Sequence, residues 1–264
     1  MGRASGAVSA ARPEPQSPIA TQAPSPPQTS TASLPPRAAA QSAGSTQAEK
    51  PALPSPVVVI LDPAHGGADN GAHGGPGDED VIEKDLVLAI AQTMRREMER
   101  QGVRVVLTRQ GDASVSLDER AALANGFGPS FFVSLHVASA GEANTAQAYS
   151  FGTPLGAAPP FSLPRAAGTG AVRWEDAQAA YLVPSRRLAE LVQVELAQKL
   201  RGSPDVPQFA QVRQLRIVAH PAVAIELSSV AEENAGSLEK TAVPLANALM
   251  RAIAAYRQPS EVRP

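Results

Sequence analysis

The sequence predicts an α/β fold three layers deep, with helices on both faces of a mostly parallel, or mixed, twisted sheet. Three observations carry that expectation. Short apolar runs alternate with amphipathic stretches in the order β-α-β-α-β, then α-β-α. The runs have the length and continuity of strands covered on both sides. The 264-residue chain, 43% hydrophobic and 18% charged, can furnish a core of the size such a fold needs.

Residues 1–56 come before the first strand and are dominated by Ala, Pro, Ser, Gln and Thr, as in "TQAPSPPQTSTASLPPRAAAQSAG". Such a segment buries too little apolar surface to offset its ordering entropy, so it is expected to be a disordered tether. The folded domain is expected over 57–258, with a disordered tail at 259–264. Val57 to Leu61 reads as a buried strand. In "EKDLVLAIAQTMRREMERQG", Leu86, Ile90 and Met94, flanked by Val87, Ala91 and Met98, form one helical stripe, and Gly102 stands where a C-terminal cap belongs. Val103 to Thr108 is the next strand. Ser116, three residues before Glu119, forms a capping box that starts a second helix. Phe131 to His136 is a third strand, and a looser region follows. Ser185 to Leu200 reads as a helix facing inward through Leu188, Leu191, Val192 and Leu196. Pro221 to Leu227 is a further buried strand, and Pro244 to Tyr256 a closing helix with proline in its first turn.

Composition excludes several classes of function. A net charge of −2 offers no basic field for a polyanion, so no nucleic-acid partner is expected. The absence of cysteine removes disulfides, thiolate metal sites and cysteine nucleophiles together. No apolar window reaches the ~18 residues of a transmembrane helix. The segment "MGRASGAVSAARPEPQ" lacks the apolar core of a secretory signal, so no signal peptide is visible.

The polar residues that interrupt the buried strands carry the chemistry. "VVVILDPAH" ends on His65, "FFVSLH" on His136, and "AVAIEL" carries Glu226. In open α/β sheets, ligand sites gather outside the carboxyl ends of the strands, so these three can converge although far apart in sequence. Glu83, just before a helix, is a fourth candidate; taken alone it is a first-turn acid suited to the helix dipole. Two imidazoles and a carboxylate form a recurrent catalytic zinc set that leaves a position open for water. A separate carboxylate can then move the proton. The chain offers His65, Glu83 and His136 as ligands and Glu226 as general base. Asp62 would lie behind His65 and orient its ring, or serve as a turn-forming acid before Pro63. His220, about 20 Å from Glu226 along an extended strand, falls at the wrong end of the sheet. His73, in the Gly-rich "NGAHGGPGDED", belongs to a surface loop.

In order, "ILDPAHGG", "EKDLVLAIA", "VRVVLTRQGDASVSLDERAALAN", "FFVSLH" and "PAVAIELSSVAEEN" resemble the zinc-dependent N-acetylmuramoyl-L-alanine amidases of bacterial cell-wall turnover, amidase type 3. The resemblance spans about Val57 to Tyr256. It implies an amidase catalytic domain with one Zn²⁺ ion on His65, Glu83 and His136. Glu226 would be the acid/base that cuts between the lactyl group of N-acetylmuramic acid and the L-alanine of the stem peptide. The implied partner is peptidoglycan or a muropeptide, the implied location the periplasm or cell envelope, and the expected state a monomer. The chain departs from the family pattern at Ala64, where glycine is usual, and at Val137 and Ala138, where Ala-Asn is usual. It departs again at "LSSV", where a "GF" segment is usual, and in the long proline-rich stretch from Thr153 to Trp174. The alternative expectation is a catalytically impaired relative that binds cell-wall glycopeptide or a regulatory partner; a zinc peptidase of other specificity is a third.

Overall fold

A computed structural model describes residues 57–77, 80–152 and 173–258 of the chain. The expected tether, the expected tail and residues 153–172 of the proline-rich stretch lie outside the described residues. In chain order the elements are β1 (Val58–Pro63), β2 (His73–Gly74), β3 (Val81–Ile82), α1 (Glu83–Arg100), β4 (Arg104–Leu107), α2 (Leu117–Asn125), β5 (Phe131–Val137) and β6 (Ala146–Phe151). A 3-10 stretch, Trp174–Tyr181, then leads into α3 (Leu182–Lys199), β7 (Gln208–Ala210), α4 (Arg213–Arg216), β8 (Ala222–Leu227), α5 (Ala235–Lys240) and α6 (Ala242–Arg257).

The central sheet has the strand order β4-β1-β5-β8-β6-β7. β4, β1, β5 and β8 are parallel, whereas β6 runs antiparallel to β8 and takes β7 with it. The sheet is therefore mixed at one edge. Side chains alternate across it, as the two-residue period of a strand requires. Val59, Leu61, Val133, Leu135, Val223 and Ile225 pack against α1, α3 and α6 on one face. Ile60, Phe132, Ala222 and Ala224 pack against Ala121 and Ala124 of α2 and Leu215 of α4 on the other. This is the three-layer arrangement expected from the sequence.

Local signals set most boundaries. The capping box at the start of α2 is formed, with Glu119 N donating to Ser116 Oγ at 3.2 Å and Ser116 N to Glu119 Oε2 at 2.8 Å. Gly102, with φ +82°, takes the left-handed turn that ends α1. α3 and α6 each begin earlier than expected, at Leu182 and Ala242. Pro184 and Pro244 fall in the first turn of each helix, where a missing N–H costs nothing. Ser185, expected at the helix start, is buried inside α3, where its Oγ accepts from Ala222 N and Gln178 Nε2, both at 2.9 Å.

β6 and β7 are the strands of the central sheet that sequence reasoning missed, as were the short β2 and β3. "AQAYSF" carries small residues at alternate positions and lacks the β-branched run that marked the other strands. Its pairing is tertiary. Beyond the reach of β7, the edge of β6 is completed by a side chain: Gln193 Oε1 accepts from Ala148 N at 2.6 Å, and Gln193 Nε2 donates to Ala146 O at 3.2 Å. A fully buried amide on α3 thus stands in for a neighbouring strand.

Candidate metal centre

β1 delivers His65 to the carboxyl end of the sheet through a strained turn. His65 itself has φ +61°, a left-handed conformation uncommon for a residue with a side chain, and Gly66 and Gly67 follow at +127° and +61°. The turn is over-determined by its surroundings. Gly66 and Asp69 exchange backbone hydrogen bonds, and Gly67 donates to Asp112 Oδ1 while its carbonyl accepts from Lys84 Nζ. Arg109 donates to the carbonyls of Pro63, Ala64 and Lys84. Arg120 donates to Pro63 O and, at 2.6 Å, to His65 O. Both guanidinium groups are buried, so the loop carrying the imidazole is clamped from beneath.

The small β2–β3 hairpin aims the second group. It places Glu83 at the first position of α1, with Glu83 N donating to Ala72 O at 2.9 Å. The Glu83 carboxylate turns back into the site. Its Oε2 accepts from Ala72 N at 2.7 Å and lies 3.1 Å from His65 Nε2; its Oε1 accepts from Val137 N at 3.0 Å and lies 3.1 Å from His136 Nδ1. Burial alone would push this carboxyl up, but hydrogen bonds from His136, His65 and the two backbone amides outweigh that and hold it far below the usual carboxylate range. Glu83 is thus a fixed, ionised acceptor. The opposite response appears at His65, whose pKa is raised chiefly by the Glu83 hydrogen bond, with Asp69 adding to it against the lowering effect of burial.

His136 comes from the end of β5, and its ring meets that of His65 edge-on with centroids 5.2 Å apart. One ligand atom from each of His65, Glu83 and His136 lies within 4.8 Å of the others. Gly71, with φ +69°, closes the cradle: a Cβ there would stand 2.4 Å from Glu83 Oε2 and 2.7 Å from His65 Cδ2. Two imidazoles and an ionised carboxylate, converging in space kept clear by glycine, fit a divalent ion of the zinc type.

Glu226 is the register partner of His136 on the neighbouring parallel strand, so both side chains leave the same face of the sheet. Tyr149 Oη donates to Glu226 Oε2 at 3.0 Å; burial and that carboxylate push the phenol up to about 12, so it remains a donor. Two clefts open at these groups, one at His65 and one at Glu226. One, of about 410 Å³, is bordered by His65, Asp69, Arg120 and Gln214. The other, of about 290 Å³, is bordered by Glu226, Tyr149, Gln147, Glu142 and Ser228.

Asp62 requires a correction. It does not orient the His65 ring, because both ring nitrogens are engaged elsewhere: Nδ1 with Asp69 Oδ2 at 2.9 Å and Nε2 with Glu83. Asp62 points instead into the sheet face, fully buried, where Thr108 Oγ1, Arg120 Nη1 and Ser134 Oγ all donate to it. It supports His65 only through Arg120. The residue doing the expected work is Asp69, four positions beyond His65. His73 is exposed on β2, 4.0 Å from Asp80, and outside the cluster. His220, buried near the start of β8, has Nε2 3.1 Å from Ala124 O, and burial pulls its pKa down. Sequence reasoning also missed Tyr149 and Gln214, which reach the site from a strand and a one-turn helix that carried no strong local signal.

The family model described as N-acetylmuramoyl-L-alanine amidase matches residues 59–255. The chain is 43% identical over 79 residues to the N-acetylmuramoyl-L-alanine amidase AmiA of Escherichia coli K12, covering 30% of this chain and 26% of that protein. It is 40% identical over 85 residues to the sporulation-specific N-acetylmuramoyl-L-alanine amidase of Bacillus subtilis 168, covering 32% of each. The match therefore spans about a quarter to a third of the length of these curated relatives. Among solved structures, the N-acetylmuramoyl-L-alanine amidase AmiC2 of Nostoc punctiforme superposes with a TM-score of 0.54 at 25% identity, covering 77% of this chain and 98% of that one. The CwlD amidase of Clostridioides difficile, solved with the GerS lipoprotein, shares the fold at a TM-score of 0.54 and 23% identity, covering 76% and 98%. Among the described residues, no helix is long and apolar enough to cross a membrane.

Proposed function

Because the chain belongs to the N-acetylmuramoyl-L-alanine amidase family, we propose that it hydrolyses the amide bond between N-acetylmuramic acid and the L-alanine of peptidoglycan stem peptides, using one zinc ion. The observation that carries this reading is the meeting of His65, Glu83 and His136, with Glu226 beside His136 on the next strand. His65, Glu83 and His136 would hold the ion, which supplies a Lewis acid able to polarise the scissile carbonyl and acidify water. The chain's own groups do the rest. Asp69 holds the His65 ring, Tyr149 holds one oxygen of Glu226, and the other oxygen of Glu226 is the proton carrier. As the water oxygen bonds to the lactyl carbonyl carbon, Glu226 takes a water proton. It then delivers that proton to the L-alanine nitrogen as the C–N bond breaks, so the departing group leaves as a neutral amine and the lactyl group as a carboxylic acid. The clefts bordered by His65 and by Glu226 would give the glycan and peptide portions room to lie. An enzyme with this substrate works in the cell envelope.

The test is incubation of the zinc-loaded protein with purified peptidoglycan, followed by mass spectrometry of the soluble products. Stem peptides with free L-alanine amino ends support the proposal. Cuts between amino acids would replace it with a peptidase, and tight glycopeptide binding without cleavage would replace it with a binding module.

A further inference from the structure

His136 has a second nitrogen, and what it meets is informative. Nδ1 faces Glu83 Oε1, whereas Nε2, on the far side of the ring, lies 2.9 Å from Gln214 Nε2. An amide nitrogen can only donate, so the contact as it stands suits the neutral tautomer protonated at Nδ1, in which Nε2 accepts and Nδ1 donates to Glu83. A ring that ligates a metal through Nδ1 needs the other tautomer. Its proton must then sit on Nε2, and a half-buried N–H turned to the same neighbour requires an acceptor. Glutamine can supply both, because half a turn of its terminal amide exchanges nitrogen for oxygen. Glutamate could only accept, and lysine could only donate.

The placement of Gln214 is not left to chance. It lies on α4, whose next residue, Leu215, is fully buried in the core on that face of the sheet. Asn125 of α2 grips the chain just beyond, donating from Nδ2 to Ile217 O at 2.9 Å and accepting at Oδ1 from Ala219 N at 2.7 Å. Arg216 Nε donates to Glu175 O at 2.9 Å on the third side. The backbone is held while Gln214 borders the open cleft beside His65.

We propose that Gln214 is the positioning residue of His136, and that its reversible amide keeps the imidazole satisfied in both tautomers, donating to Nε2 without metal and accepting from Nε2–H when His136 ligates. Asp69, an acceptor only, does the second half of this task for His65. The inference rests on the reading of His65, Glu83 and His136 as the metal set.

The experiment compares the full chain with Gln214→Met, which keeps the side-chain length and removes the amide, and Gln214→Glu, which keeps only the acceptor. Zinc affinity is measured by competition with a chromophoric chelator, and the His136 tautomer by long-range ¹H–¹⁵N correlation with and without zinc. Wild type should move its proton from Nδ1 to Nε2 on loading. Gln214→Met should lose about 10- to 100-fold in zinc affinity, and Gln214→Glu should bind at least as tightly as wild type. Melting curves check that each variant is folded; if Gln214→Met is not, the tautomer of the wild type and the affinity of Gln214→Glu decide. Zinc affinity in Gln214→Met within twofold of wild type overturns the inference, as does a Gln214→Glu affinity as weak as a methionine variant should show, or a tautomer that does not move. A wild type that binds no zinc overturns the metal reading itself, which separates the two failures.

Discussion

Replacing Asp62 by alanine tests whether this acid is a structural anchor. The Asp62 carboxylate is fully buried, and Oδ1 lies 2.6 Å from Arg120 Nη1. Thr108 and Ser134 hydroxyls donate to it at 2.6 and 2.8 Å. Its removal leaves a guanidinium that is only 5% exposed without its counter-charge. Breaking a buried pair from one side costs about 3–5 kcal/mol. The backbone carbonyls of Pro63, His65 and Val115 still accept from Arg120, which argues for the lower half of that range. At roughly 2–4 °C per kcal/mol for a domain of this size, the melting temperature should fall by about 6–16 °C. Removing both partners, as Asp62→Ala with Arg120→Met, should cost less than the sum of the single changes, because no unpaired charge remains. Calorimetry on the metal-free protein reads stability apart from metal binding. A drop below about 3 °C for Asp62→Ala, or strict additivity in the double variant, would refute the buried-pair argument.

Glu226→Gln should leave zinc affinity within a few-fold of wild type while lowering turnover of peptidoglycan by about 10²–10⁴-fold, read from released stem peptides; substantial residual turnover would remove its assigned role. Gly71→Ala should weaken zinc binding and lower the melting temperature together, since its Cβ would displace Glu83 and the residue must hold φ +69°; a chelator titration indistinguishable from wild type would mean the cradle is slack. The metal-free protein should have a distinctive pH profile. Glu83 titrates below its ordinary 4.5 when folded, so its stabilisation is present above that pH and lost as acid reaches the folded value; His65 titrates above its ordinary 6.5, so its stabilisation is present below 6.5 and lost as pH rises through the folded value. These two groups together favour the window between 4.5 and 6.5. Melts of chelated protein across pH should show the alkaline fall, and His65→Asn should flatten it. A persistent fall in that variant would assign it elsewhere.

The buried strands, the two capped helices and the convergence of His65, Glu83 and His136 were legible because each is written in contiguous residues or at an element end. An apolar run that stops at a histidine breaks the local rule for a covered strand, and such breaks mark function. Asp69 was legible in principle, four residues past His65 in a glycine-rich loop, but Asp62 stood nearer in the chain and drew the assignment. Nothing in "LDPAH" reveals that β1 turns Asp62 into the sheet face toward Arg120, because the choice depends on which face Ile60 buries and where α2 docks. β6 escaped notice for a related reason: its hydrogen bonds are completed by β8, β7 and the Gln193 side chain, none of them near in sequence.

Residue type and order alone decided the layered α/β architecture and which four side chains could share a site, since hydrophobic periodicity and strand-end chemistry are local properties of the chain. Asp69 supports His65 from the same loop, but tertiary structure alone decided the partners of Glu226 and His136. Tyr149 and Gln214 reached them only when strand and helix were packed together, because a hydrogen bond a few ångströms long is set by the docking of whole elements.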